Sequence, residues 1–232
     1  MTNEPTVIFE NDDFLVINKP AGLIVHSDGR TIEPSLADWL IARSPALQEV
    51  GEPWVSPQGE KIACPGLVHR LDRTTSGVMV VAKTQAMWKY LRAEFKERRV
   101  EKKYHAFVYS HVEGSSGRIV SEIMRSSTPP KKWYARPCDE SHKRAAITDW
   151  TLLKKLEDNG ELISYLEVQP RTGRTHQIRV HLASIGYPIV ADHLYSDKKP
   201  LLGFTRPALH AHSISFMLPS VENREFICER CE

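Results

Sequence analysis

Short β-type runs come in pairs along this chain, each pair joined by a few polar turn residues, and this pairing most limits what the chain can fold into. Residues 7–9 and 14–17 are apolar and flank Asn11-Asp12-Asp13. Residues 147–156 and 162–168 flank Asp158-Asn159-Gly160, a strong hairpin signal. Strands joined this way pair antiparallel, because a parallel pair needs a long crossover. Further strands are expected at 23–25, 77–83, 102–109 and 209–218. Helices are expected at 35–43, 85–99 and 175–185, the second because Met87, Leu91 and Phe95 recur every four residues. Residues 44–65 are rich in Pro and Gly and read as a long loop or insertion. Residues 113–144 are basic and read as irregular. The fold class is therefore α+β: a mixed, mostly antiparallel sheet with flanking helices.

Charge adds a direction. Lys and Arg total 31 against 29 Asp and Glu, a net charge of +2. Residues 1–62 hold 4 of the bases and 10 of the acids, and the remainder therefore carries +8. The bases crowd into 92–103, 118–144 and 171–179. Either a cationic surface faces a polyanion such as RNA, or these are solvated surface charges. Four cysteines provide no disulfide framework and point to a reducing cytoplasm. No signal peptide or bilayer-length apolar run is found, so no membrane is expected.

The segment GLVHRLDRTTSG (66–77) sets Asp72 between Arg70 and Arg73. In an extended chain Arg70 and Asp72 share a face, with His69 and Leu71 turned toward packing. Asp72 then either caps the turn that follows through nearby amides or stands in a cleft as an ionised nucleophile or base. The segment RTGRTHQIRVH (171–181) opens a helix with Arg179 one turn after Thr175. It is either an amphipathic helix with a basic outer face or a phosphate-facing helix start. Tyr104, beside Lys102 and Lys103, either fills the sheet's inner face or stacks on a base. Cys228 and Cys231 form one CxxC, a weak half-site for zinc. His176 and His181 are poorly spaced for joint metal binding. His210 and His212 read as packing. Glycine-rich phosphate loops and nucleophile elbows are absent, so no cofactor and no metal are expected.

Together NKPAGLIVH (18–26), GLVHRLDRTTSGVMVVAK (66–83), EKKYHAFV (101–108), RAAITDW (144–150) and RTGRTHQIRVHLASIGYPIVADHLY (171–195) resemble the RluA-type pseudouridine synthases. The resemblance runs in family order from about residue 7 to 216. It implies isomerisation of uridine to pseudouridine in ribosomal or transfer RNA, without cofactor or metal. It implies that Asp72 is the catalytic aspartate, Tyr104 the active-site tyrosine and Arg179 the base paired with Asp72. It implies that Arg70 enters the RNA stack where the target base has left, with further RNA contacts from Arg73, Lys103, Arg174, His176 and Gln177. The implied fold is one catalytic domain, residues 1–232, in two halves around a cleft. A monomer is expected, and no separate N-terminal RNA-binding domain, since the shared pattern starts so early. The loop 44–65 and the tail after Leu218 lie outside the shared motifs.

Overall fold

The computed structural model describes residues 4–29, 33–56, 59–128 and 132–229. In chain order the strands and helices are β1 (Thr6–Glu10), β2 (Phe14–Lys19), α1 (Leu36–Arg43), β3 (Trp54–Val55), β4 (Lys61–Ile62), β5 (Ser76–Ala82) and α2 (Gln85–Lys96). There follow β6 (Glu101–Tyr109), β7 (Ser116–Arg125), β8 (Trp133–Pro137), β9 (Ala145–Asp158), β10 (Glu161–Pro170), α3 (Gln177–Ser184), β11 (Leu209–Met217) and β12 (Asn223–Ile227). The described residues divide into two compact units, one formed by 4–101 with 211–229 and the other by 102–210.

In the first unit the strand order is β1-β2-β5-β11, with β12 on β11. The β1–β2 turn is closed by Asn11, whose Oδ1 accepts from the amides of Asp13 and Phe14. Strands β2 and β5 pair antiparallel, and every residue of β5 is buried, so both its faces are covered. Helix α1 starts at a Ser35–Asp38 capping box. Helix α2 is capped by Thr84 and buries Met87, Trp88 and Leu91. It stops at Lys96, three residues before the expected end, because Arg98 turns left-handed and the Arg99 amide returns to the Glu94 carbonyl. Residues 23–25 form no strand. They make a single parallel bridge, Ile24 to Ser35.

In the second unit the order is β6-β10-β9-β7-β8, and all four pairings are antiparallel. The β9–β10 hairpin closes as expected through two left-handed residues, Asn159 and Gly160. Helix α3 adds Ile178 and Leu182 to a core containing Ala106, Val108, Leu166 and Val168.

The region 113–144 is irregular only in part. It forms β7 and β8, and β7 turns Ile119, Ser121 and Ile123 inward. Its basic character misled because two arginines there serve the sheet itself. Glu122 is 2% exposed and is gripped by Arg136 and Arg144.

Candidate active-site elements

Asp72 begins a tight turn. Its carbonyl accepts from the Thr75 amide at 3.1 Å, which reverses the chain at Arg73 and Thr74 just before β5. Gly77 then sits at φ +120° on β5, where a Cβ would lie 2.2 Å from the Ala211 carbonyl oxygen. Only glycine fits that approach. On the other side of the loop, His69 Nε2 accepts from the Val80 amide at 3.0 Å, and its ring stacks on Phe95. His69 and Leu71 thus face packing, Arg70 is exposed and Asp72 is half-buried. Arg73 pairs with Glu33.

Lys19 fixes this loop, and sequence reasoning missed it. The residue is fully buried at the end of β2. Its ammonium donates to the carbonyls of Pro20 at 2.7 Å, Leu23 at 2.8 Å and Arg73 at 3.4 Å. The Arg73 carbonyl also accepts from the Gly22 amide. A buried ammonium is tolerated because its protons have acceptors. It ties the NKPAG turn to the residue after Asp72. The signal was present: a lysine closing an apolar strand directly before proline.

In the second unit Tyr104 lies half-buried on β6 opposite Val168, with one side packed on the core. Arg179 is buried on α3 and forks onto Asp192, with Nε to Oδ2 at 2.7 Å and Nη2 to Oδ1 at 2.8 Å. Its guanidinium also lies 5.1 Å from the centre of the Tyr195 ring. The Tyr195 hydroxyl accepts from the Trp133 amide and shares a 2.8 Å hydrogen bond with His176 Nδ1. Asp192 and Tyr195 are thus supports that the motif reading did not single out, although both stand in VADHLY.

Helix α3 starts at Gln177, because His176 turns left-handed at φ +54°. Gln177 is a correction to the expected RNA contacts. It is buried, and its amide is spent inside the protein. Its oxygen accepts from the Thr172 hydroxyl and the Arg174 amide, and its nitrogen donates to the Ile147 carbonyl and Thr148 Oγ1. It braces the loop that presents Arg174, which is exposed.

Behind this brace His181 is fully buried between Ser121 Oγ at 3.0 Å and Thr148 Oγ1 at 2.8 Å. Burial pushes its pKa from 6.5 down to about 4. The unfolded chain therefore takes up this proton near pH 6.5, and the folded protein resists until about pH 4. Stability is full above 6.5 and falls as pH drops through that window, by about 3 kcal/mol. Urea midpoints at pH 7 and pH 4.5 are expected to show this loss, and His181→Asn is expected to flatten it. An unchanged slope in the variant would assign the acid sensitivity elsewhere.

A groove of about 430 Å³ on the second unit is lined by Arg118, Asp149, Glu167, Gln169 and Arg171 among others. It holds none of the predicted catalytic residues. Both arginines are committed to Asp149, whose carboxyl they hold below its ordinary range, Arg118 foremost. Among the described residues, no three or more His, Cys, Asp or Glu gather as metal ligands. Cys228 is buried, and Cys231 lies outside the described residues. Among the described residues no helix is long and apolar enough to cross a membrane.

Comparison with known proteins bears on the same segments. The family model described as RNA pseudouridylate synthase matches residues 13–184. A ribosomal large subunit pseudouridine synthase D of Zymomonas mobilis is 34% identical over 94% of this chain and 68% of its own length. A dual-specificity RNA pseudouridine synthase RluA of Vibrio vulnificus is 33% identical over 92% of this chain and 78% of its own. The human RNA pseudouridylate synthase domain containing 1 structure superposes with a TM-score of 0.72 at 27% identity, covering 98% of this chain and 84% of that one. The chain spans about three-fifths of the length of the first curated relatives it matches. The matched span takes in the Lys19 clamp, the Asp72 turn, Tyr104 and the start of α3 through Arg179, and this chain belongs to the RNA pseudouridylate synthase family, in its RluA-type branch.

Proposed function

We propose that this chain isomerises uridine to pseudouridine within RNA, with Asp72 as the essential carboxylate. The observation that carries this reading is the Asp72 turn. A half-buried acid is held at a strand entrance by a buried lysine, beside an exposed arginine, in a chain of this family. The reaction breaks the bond from N1 of uracil to C1′, turns the base, and joins C5 to C1′; C5 gives up a proton and N1 takes one up. Nothing is gained or lost overall, so no oxidant or group donor is needed. A carboxylate supplies negative charge to C1′ as the first bond breaks. Tyr104 stacks on the turned ring and assists removal of the C5 proton. Arg179, already oriented by Asp192, acts with Asp72.

A uridine inside a stem is out of reach, so it leaves the stack, and Arg70 fills the gap. Arg70 is exposed and has no ion pair among the described residues, which suits that role. Arg99, Arg118 and Arg136 pair with acids of the protein. The exposed Arg174 and the half-buried Lys103 supply phosphate contacts. Arg73 joins them when RNA displaces Glu33. The substrate is ribosomal or transfer RNA in the cytoplasm, and the chain works as a monomeric single catalytic domain.

The test is release of tritium from RNA labelled at C5 of uridine, in buffer containing EDTA, followed by mapping of the modified position. Purified chain is expected to release label stoichiometrically with pseudouridine at one or a few defined uridines. Failure to convert any ribosomal or transfer RNA transcript would refute the proposal.

A further inference from the structure

The loop 44–65 has a structure that its composition hides. It carries the two-stranded hairpin β3–β4, in which Trp54 pairs with Ile62 and Val55 with Lys61. A two-stranded hairpin of this size is not stable alone. It is held to the first unit at several points. The Gly66 amide bonds the Val50 carbonyl, at the hairpin's base. The hairpin closes on Gly29, where a Cβ would meet Glu60, Ile62 and Ser56 within 3.5 Å. The Trp54 backbone hydrogen-bonds the Cys64 sulfur.

The product of this anchoring is an aromatic side chain left at the surface. Trp54 is 38% exposed and Val55 56%. Among the described residues Trp54 and Tyr134 are the exposed large aromatics. The Trp54 ring lies 5.5 Å from the ring of His26, the last residue of NKPAGLIVH. His26 Nδ1 donates to the Ser27 carbonyl at 2.8 Å, which fixes its ring. The Leu23 carbonyl, three residues before His26, shares the Lys19 ammonium with the Arg73 carbonyl. An exposed indole and an immobilised imidazole therefore stand together at the end of the segment that Lys19 ties to the Asp72 turn, and the positive charge of Arg70 acts on both His26 and Cys64.

We propose that Trp54 is a stacking platform for the nucleobase adjacent to the target uridine. The proposal rests on the RNA-isomerase reading. Flipping the uridine takes a stacking partner from both neighbouring bases; where Arg70 covers one of them, the other is left without a partner. An indole face replaces it without regard to base identity, because every base has a π-face. Trp54 would then be a determinant of RNA affinity supplied by an insertion outside the shared motifs.

The experiment uses three RNAs: a stem-loop that the wild-type chain converts, and two versions with an abasic site on the 5′ or the 3′ side of the target. On the parent RNA, Trp54→Ala is expected to raise KM about 5- to 100-fold with kcat held within about twofold. Trp54→Tyr, which keeps a π-face, is expected to retain most of the affinity. Trp54→Thr keeps a β-forming residue without a ring, and is expected to match the alanine variant should the latter fold poorly. On one abasic RNA, wild type and the ring-less variants are expected to bind alike, since the base that would stack is gone. A KM on the parent equal to wild type overturns the proposal, as does an increase that persists undiminished on both abasic RNAs. A wild-type chain that converts no RNA at all would count against the isomerase reading instead.

Discussion

Asp72→Asn is expected to abolish pseudouridine formation, by on the order of 10³-fold or more, while thermal stability and RNA affinity stay close to wild type. The substitution keeps the size of the side chain and removes the negative charge. The hydrogen bond that closes the turn runs from the Thr75 amide to the Asp72 carbonyl, a backbone atom that the substitution leaves in place. The loop is anchored one residue later, at the Arg73 carbonyl, by Lys19 and Gly22. Both of these attachments run through backbone atoms, and asparagine leaves them in place. Tritium release reads the chemistry, filter binding reads affinity, and a melting curve reads the fold. Retained turnover in this variant would remove Asp72 from the mechanism. A large drop in melting temperature with little change in rate would make it the structural turn residue of the alternative reading.

Asp192→Ala is expected to have the largest effect on stability. Its carboxylate is 1% exposed and accepts two hydrogen bonds from the buried Arg179, plus one from the Leu194 amide. Removing it strips the acceptor from two nitrogens of a buried guanidinium. Breaking such a pair from one side costs about 3–5 kcal/mol. For a chain of this size that lowers the melting temperature by about 6–20 °C. Asp192→Asn should fall between. It keeps Oδ1 for Nη2 and for the Leu194 amide, but sets an NH₂ against Nε–H. Activity should fall in the same order, because Arg179 loses its fixed orientation. An alanine variant as stable as wild type would show that the pair contributes nothing to the fold.

The hairpins, the three helices and the antiparallel character were legible because their causes are local. Asn11 and Asn159-Gly160 make turns through their own side chains and backbone angles. Ser35 and Thr84 cap their helices three residues ahead. The strands β7 and β8 were not legible, since their arginines neutralise Glu122, an acid that sequence alone shows as one more surface charge. The hairpin β3–β4 was hidden for a related reason. Its strands have two residues each, too short for periodicity to register, and it is stabilised by distant Gly29 and Gly66. Gln177 read as a contact residue because its type and motif suited one. Its burial, with four hydrogen bonds inside the protein, is a property of packing.

From its residues alone the chain determined its family and its strand pairing by local turns, because both are written in contiguous motifs. Only the tertiary structure decided what orients these groups: Lys19 clamping the Asp72 loop, Asp192 aiming Arg179, and the insertion that brings Trp54 to His26. Hydrogen bonds and ring contacts between residues far apart in the chain depend on how the chain closes in space, and neither spacing nor composition encodes that closure.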